Sequence, residues 1–338
     1  MKKRILYIGN KLANKGNTIT SIETLGEFLV KDGYSVLTVS SINNKLLRLL
    51  DMLWQTFTNR NSKDVVLIDT YSTQNFYFAV GVAKMCRVFK LEYIPILRGG
   101  NLPFRIEKSP QKSQKLFKGA KTNIAPSHYL LNAFKEKGYS NLTYVPNTIE
   151  LKKYPYKKRE TIKLNLLWVR SFSEIYNPQL ALEIVEKLVA QNIQVSLCMV
   201  GPEKDGALRD CQEIVAQKKL PVTFMGLLSK EKWIDLSKDF DLFINTTNFD
   251  NTPVSVIEAM ALGLPVISTN VGGIPYLVEH GKTGVLVSPN NSQAFVDEIQ
   301  VLFNNPSKAI EISKNARIAV EKFDWEKVKK LWDEVLND

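Results

Sequence analysis

The stretch DLFINTTNFDNTPVSVIEAMALGLPVISTNVGGIP (241–275) reads as a strand, a helix and a second strand. DLFINT and PVIST are short, β-branched apolar runs, and the segment between them has helical character from Pro253 onward. Proline suits the first turn of a helix, where its missing N–H is no loss. Strands joined by a helix pair in parallel, and ligands of such sheets gather beyond the carboxyl ends of the strands. Two carboxylates, Asp250 and Glu258, sit eight positions apart around this helix start, and Gly272 and Gly273 follow the second strand.

Each of these features has two readings. Free N–H groups around Val254 and Ser255 would make an anion site suited to a phosphate. Glu258, one turn further on, can accept hydrogen bonds from a ribose diol, and Asp250 can reach another polar ligand group. Alternatively, Asp250 caps the segment and Glu258 answers a surface lysine. The glycine pair either lets the backbone approach a ligand closely or serves turn geometry.

The same grammar runs through the chain. ILYIG, SVLTVS, DVVLID, EYIPIL, TNIAP and LTYVP are strand candidates in the first half; LNLLWV, QVSLCMV, VTFMG, DLFINT, PVIST and TGVLVS follow in the second. Helical periodicity fills most gaps, as in ITSIETLGEFLVKDG and FYFAVGVAKMCRVFKL. Strands alternating with helices predict an α/β fold with parallel sheets, here two doubly wound domains. The polar segment TIELKKYPYKKRETIK (148–163) reads as the linker. The expected division is residues 1–157, residues 158–322 and a terminal amphipathic helix, 323–338, packing on either domain.

Composition bounds the function. Hydrophobic residues make up 44% of 338, too many for a disordered chain. No run is long enough to span a bilayer, and MKKRILYIGN reads as a first strand rather than a signal peptide. The three cysteines lack metal-ligand spacing and are too few and odd in number for a disulfide framework, which points to a reducing, cytoplasmic setting. There is no clear strand-end D-x-D pair or His/Asp cluster for a divalent ion, which agrees with the expectation, carried by the resemblance given next, of no metal and no cofactor.

The 241–287 segment resembles the nucleotide-sugar-binding segment of GT-B glycosyltransferases, specifically the retaining glycosyltransferase family 4 (glycosyl transferases group 1). The matching residues are Asp250, Glu258, AMALGLPV (259–266) and VGG (271–273), extended by MVGP (199–202), FMG (224–226) and VPN (145–147). The resemblance implies two Rossmann-like domains facing a central cleft, the first binding the acceptor and the second the donor. It implies a hexosyltransferase acting with retention and without a metal, in surface polysaccharide or glycoconjugate synthesis. The donor would be a nucleoside-diphosphate sugar, UDP or GDP first, and the acceptor a glycan or a lipid-linked molecule.

Residue by residue, the resemblance places Glu258 on the ribose, Asp250 on the donor sugar and the backbone of Val254 and Ser255 on the diphosphate. Gly226 and Leu227 would meet the base, and the Gly272–Gly273 loop would approach the donor. Three departures accompany it. The first acid is aspartate where the family usually has glutamate. The family's phosphate-binding basic pair gives way to WVRSFSEIYNP (168–178), with Arg170 one position early and Tyr176 in place of lysine. Arg170 is the expected phosphate cation, because its planar fork matches phosphate oxygens; Lys230 and Lys232 are weaker substitutes. In LRGGNLP (97–103), Arg98 stands where the family often has a catalytic histidine, and it cannot serve as a base at neutral pH. The first loop, GNKLANKGNTIT (9–20), has Gly16–Asn17 in place of a glycine pair and would face donor or acceptor. These departures keep open a nucleotide-sugar-binding protein without transfer activity.

Charge is uneven. Residues 1–157 hold 25 Lys+Arg against 10 Asp+Glu, a net of +15, whereas residues 158–338 hold 20 against 24, a net of −4. The first half therefore faces something anionic or is simply well solvated. No nucleic-acid-reading motif accompanies it, and nucleic acid is not an expected partner. Lys108, Lys112, Lys115, Lys118 and Lys121 are read as a flap, and LLRLLDMLWQTF (46–57) either carries an exposed apolar stripe or forms a core helix. With the stripe exposed, the chain would rest on the inner face of an anionic membrane.

Overall fold

The computed structural model describes residues 2–12 and 20–337, and it divides into two compact units, 1–148 with 325–338, and 149–324. Each unit is built on one six-stranded, fully parallel sheet flanked by helices. This is the doubly wound α/β architecture expected from the alternating pattern, and each of the twelve apolar runs named above is a strand.

In the first unit the order along the chain is β1 (Arg4–Ile8), α1 (Ser21–Lys31), β2 (Ser35–Val39), α2 (Lys45–Thr58), β3 (Val65–Thr70), α3 (Asn75–Val88), β4 (Glu92–Leu97), α4 (Leu102–Lys108), α5 (Pro110–Phe117), β5 (Asn123–Ala125), α6 (His128–Glu136) and β6 (Leu142–Tyr144). The strands lie side by side as β2-β1-β3-β4-β5-β6. Alternate side chains on each strand go to opposite faces. Leu6, Ile8, Val66 and Ile68 pack with α2 through α6, whereas Ile5, Tyr7, Val65 and Leu67 pack with α1 and with the last helix of the chain.

The second unit runs β7 (Asn165–Val169), α7 (Pro178–Ala190), β8 (Ser196–Val200), α8 (Ala207–Lys218), β9 (Val222–Gly226), α9 (Lys230–Leu236), β10 (Leu242–Asn245), α10 (Val254–Ala261), β11 (Val266–Thr269), β12 (Val285–Val287), α11 (Ser292–Asn304) and α12 (Pro306–Val320). Its strand order is β12-β11-β10-β7-β8-β9. The remaining helix, α13 (Trp325–Asn337), belongs to the first unit, where Trp325 stacks on Phe28 at 4.9 Å.

Two segments differ from the sequence-based expectation, and a third, 46–57, takes one of its two expected forms, the exposed apolar stripe. The 148–163 segment is not a free linker. Tyr154 is buried, and the buried Arg159 guanidinium donates to the carbonyls of Phe240, Lys157, Leu262 and Ser237. Four backbone carbonyls satisfy a charge that burial would otherwise disfavour, and the unit boundary consequently falls at 148/149. Residues 105–121 form α4 and α5, anchored in the core by Ile106, Leu116 and Phe117, instead of a flap. Helix α2 is turned opposite to a core helix: Arg48, Met52 and Thr56 are buried, while Leu46, Leu47, Leu50, Trp54 and Phe57 are exposed. Arg48 can be buried because its guanidinium donates to the carbonyls of Ile42 and Asn43 and to Asn10 Oδ1.

Candidate functional site

Strand order reverses direction between β7 and β10 in the second sheet, since β8 and β9 lie on one side of β7 and β10 to β12 on the other. Loops leaving adjacent strands at such a switch point diverge and leave a crevice. Arg170 leaves the end of β7 and Asp250 follows β10, so the crevice is flanked by an arginine and an aspartate. The two form an ion pair.

Several hydrogen bonds hold these loops. The indole N–H of Trp168 donates to Thr246 Oγ1 (3.0 Å), and that hydroxyl lies within 3.0 and 2.8 Å of the carbonyls of Tyr176 and Asn177. Asn248 N–H donates to the Ile175 carbonyl (2.8 Å), and Thr269 Oγ1 donates to the Thr247 carbonyl (2.6 Å). The loop after β10 is thereby fastened to its neighbours on both sides. Tyr176, in the position where the family has lysine, places its ring 4.4 Å from the Arg170 guanidinium. Burial pushes the Arg170 pKa down and Tyr176 partly offsets this, yet a guanidinium remains charged at neutral pH.

Helix α10 begins without a side-chain cap, and Pro253 stands at the N-cap, one position before its expected place in the first turn. Asp250 does not cap it: its Oδ1 accepts from the N–H of Asn251 at 2.7 Å. Ser255 Oγ and Arg170 Nε are buried without a hydrogen-bond partner among the described residues. An uncapped helix start, an unsatisfied hydroxyl and an unsatisfied guanidinium nitrogen make a set of donors whose chemistry suits an anion.

Glu258 is only 1% exposed. It accepts from the Tyr154 hydroxyl at 2.7 Å and pairs with Lys230, whose ammonium is partly in solvent. Burial, and then the Glu258 carboxylate, raise the Tyr154 pKa, so the phenol stays a donor. Lys230 opens α9, just after β9, so this pairing brings the Gly226–Leu227 turn to the Glu258 side of the crevice. Glu258 thus answers a lysine, although from a buried position at the carboxyl edge of the sheet rather than from the surface.

The glycine pair has a specific structural duty. A Cβ on Gly272, which has φ +52°, would collide with the Asp250 carbonyl, and one on Gly273 would collide with the Asn251 carbonyl. Gly273 N–H donates to that Asp250 carbonyl at 2.9 Å. The loop after β11 therefore lies directly against the backbone that carries Asp250. Gly201, at φ +151°, similarly allows the loop after β8 to touch the Arg170 carbonyl.

The structure brings Arg170, Asp250, Val254, Ser255, Glu258, Gly226, Leu227, Gly272 and Gly273 to one edge of one sheet. Arg98 belongs to the other unit, at the end of β4. It donates to Asp69 Oδ1 (3.0 Å), Asn147 Oδ1 (2.8 Å) and the Tyr7 hydroxyl (3.2 Å), and Tyr7 donates to Asp69 (2.9 Å). Burial opposes the charge of Arg98, but Tyr7 and Asp69 outweigh it and hold its pKa above the ordinary value. Gly16 lies outside the described residues. His128 stacks on Tyr144 at 4.3 Å, and His280 accepts from the Leu286 N–H at 3.0 Å. Sequence reasoning passed over Tyr154 and Asp69. The position of Asp69 near the end of a buried strand was a usable signal; nothing marked Tyr154 in its lysine-rich surroundings.

Residues 153–319 match the family described as glycosyl transferases group 1. The second unit is a glycosyl transferases group 1 domain. Over 175 residues the chain is 27% identical to D-inositol 3-phosphate glycosyltransferase of Rhodococcus jostii, covering 50% of this chain and 38% of that protein. Over 148 residues it is 27% identical to sulfoquinovosyl transferase SQD2 of Arabidopsis thaliana, covering 43% and 28% respectively. The matched region thus spans well under half of these relatives. Among solved structures, sucrose-phosphate synthase of Thermosynechococcus elongatus superposes with a TM-score of 0.83 at 18% identity, over 99% of this chain and 98% of that one. HepE of Anabaena in complex with UDP and glucose superposes with a TM-score of 0.80 at 18% identity, over 99% and 100%. Over both sheets the chain has the two-domain GT-B fold of these solved structures.

Proposed function

We propose that this protein is a glycosyltransferase that takes its sugar from a nucleoside diphosphate, UDP or GDP, and transfers it with retention to a glycan or lipid-linked acceptor. The observation that carries this reading is the convergence of Glu258, Asp250 and Arg170 with the uncapped start of α10 at the switch point of the second sheet. Glu258 is the acceptor for the ribose hydroxyls, Asp250 meets sugar hydroxyls, and Arg170 with the N–H groups of Val254 and Ser255 holds the diphosphate. The UDP–glucose and UDP complexes of HepE support a uridine donor.

Within this reading the bond from the anomeric carbon to the diphosphate oxygen breaks and the bond to the acceptor oxygen forms on the same face. The acceptor's proton passes to the departing phosphate oxygen, so no protein base is needed. Developing charge on that phosphate is met by Arg170 and by the helix start, and no metal or other cofactor takes part. Transfer from UDP-, GDP-, ADP- and dTDP-sugars, followed by release of the nucleoside diphosphate, tests the proposal. Turnover with at least one donor is expected; binding of a donor with neither hydrolysis nor transfer supports instead a nucleotide-sugar-binding protein. The Arg170–Asp250 ion pair favours that second reading, because it engages the carboxylate assigned to the sugar while Arg170 Nε keeps its donor for the diphosphate.

A further inference from the structure

Helix α2 presents its apolar side to solvent. Leu46, Leu47, Leu50, Trp54 and Phe57 fall within an arc of about 100° on a helix of 3.6 residues per turn. Leu46 and Trp54 are 67% and 62% exposed, while the opposite arc, with Arg48 and Thr56, faces the sheet. Five large apolar side chains on one side over three turns are an apolar patch, not scattered exposure. Phe57 extends it onto α3 by packing against Phe89 at 5.8 Å, beside the exposed Val88.

The surroundings of this stripe are cationic. Arg60 lies 4.2 Å from the Phe57 ring and 5.6 Å from that of Phe89. Lys84 and Lys90, on and just after α3, are exposed. Helices α2, α3, α4 and α5 all pack on the same face of the first sheet. There α4 and α5 add the exposed Lys108, Lys112, Lys115 and Lys118, with Phe104 also exposed and Lys112 positioned over the Tyr77 ring at 4.8 Å. No acid occurs between Lys108 and Lys121. On α2 and α4 the acids are Asp51 and Glu107, and Glu107 is paired with Lys137.

We infer that the α2–α5 face is a docking surface for an anionic phospholipid bilayer, with α2 lying in the plane of the interface. Apolar residues with Trp and Phe enter the headgroup boundary while the lysines remain at the level of the phosphates. A second copy of this chain is a poor occupant, since it would bring the same cationic rim against itself. No helix among the described residues is long and apolar enough to cross a membrane, so the contact is peripheral. This inference stands apart from the transfer reaction, because it rests on the first unit alone.

Cosedimentation of the full chain with vesicles tests it. Phosphatidylcholine vesicles containing phosphatidylglycerol should retain the protein, and phosphatidylcholine alone should not. L50E/W54E, at two solvent-facing positions that leave the fold intact, should abolish retention with unchanged thermal unfolding. K112E/K115E/K118E should weaken it by about fivefold per lysine or more, and raised salt should do the same. Indifference of the wild type to anionic vesicles, or wild-type retention by L50E/W54E, would overturn the inference. So would concentration-dependent self-association that L50E/W54E removes, because the stripe would then serve a second copy.

Discussion

Each unit pairs an arginine with an aspartate at the carboxyl edge of its sheet, and the two pairs are finished differently. In the first unit Arg98 reaches Asp69, Tyr7 and Asn147 from three directions, and Tyr7 closes the network onto Asp69. In the second, Arg170 has one carboxylate and one aromatic ring, and its Nε finds no partner among the described residues. Buried ion pairs stabilise a fold only when their remaining hydrogen-bonding capacity is met. In the first network every Arg98 nitrogen is met, although Asp69 Oδ2 lacks a partner among the described residues, so that network is suited to fixing the ends of β1, β3 and β4. The second keeps donor capacity for something that arrives from outside, which is what separates an architectural pair from a binding pair.

Removing Asp69 should give the largest effect on stability. Asp69→Ala leaves the buried Arg98 charge without its carboxylate and is expected to cost about 3–5 kcal/mol in denaturant unfolding. Asp250→Asn should cost far less stability, because the second pair is closer to solvent, while lowering transfer more than donor binding. If the two substitutions destabilise equally, the distinction between the pairs collapses. Next, Glu258→Gln should leave the thermal midpoint nearly unchanged, since Lys230 is partly solvated, yet weaken stabilisation by the nucleotide about tenfold or more. Unchanged nucleotide binding would remove the ribose role.

Gly272→Ala is expected to cost about 1–3 kcal/mol, from the positive φ and the close Asp250 carbonyl, and to reduce donor binding with it. The smallest effect belongs to a third Arg–Asp pair, Arg4–Asp64, which lies in solvent at 2.8 Å. Hydrogen bonds from Arg4 lower the Asp64 carboxyl to about 2. A depressed carboxyl contributes stability above its unfolded pKa and loses it as pH falls through the folded value. Asp64→Asn should therefore lower the thermal midpoint slightly near pH 7, and the difference should vanish as the pH approaches 2. A large effect at neutral pH would show that exposure does not grade these three pairs.

The strands and their alternation were legible because buried parallel strands write themselves as β-branched runs. The 250–258 segment was legible because a helix start between two such runs leaves few places for its acids to point. Other features depend on which neighbour fills a space, and a one-dimensional pattern does not contain that. Periodicity shows that α2 has an apolar side but not which side meets the sheet, and Arg48 decided this by finding three acceptors. Likewise KKYPYKKR looks like a solvated tether, yet Tyr154 reaches Glu258 from 104 residues away and Arg159 gathers four carbonyls.

Helix α13 also sets an order of events during synthesis. The residues it covers, among them Ile5, Tyr7, Phe28 and Leu67, leave the ribosome long before Trp325 and Trp332 exist. Until then one face of the first sheet lacks part of its second layer, and the whole of 149–324 is made in the interval. The nascent first unit must wait with apolar surface uncovered, the condition in which chains attract chaperones and each other. A fragment stopping at residue 148 should consequently aggregate where the full chain stays dispersed.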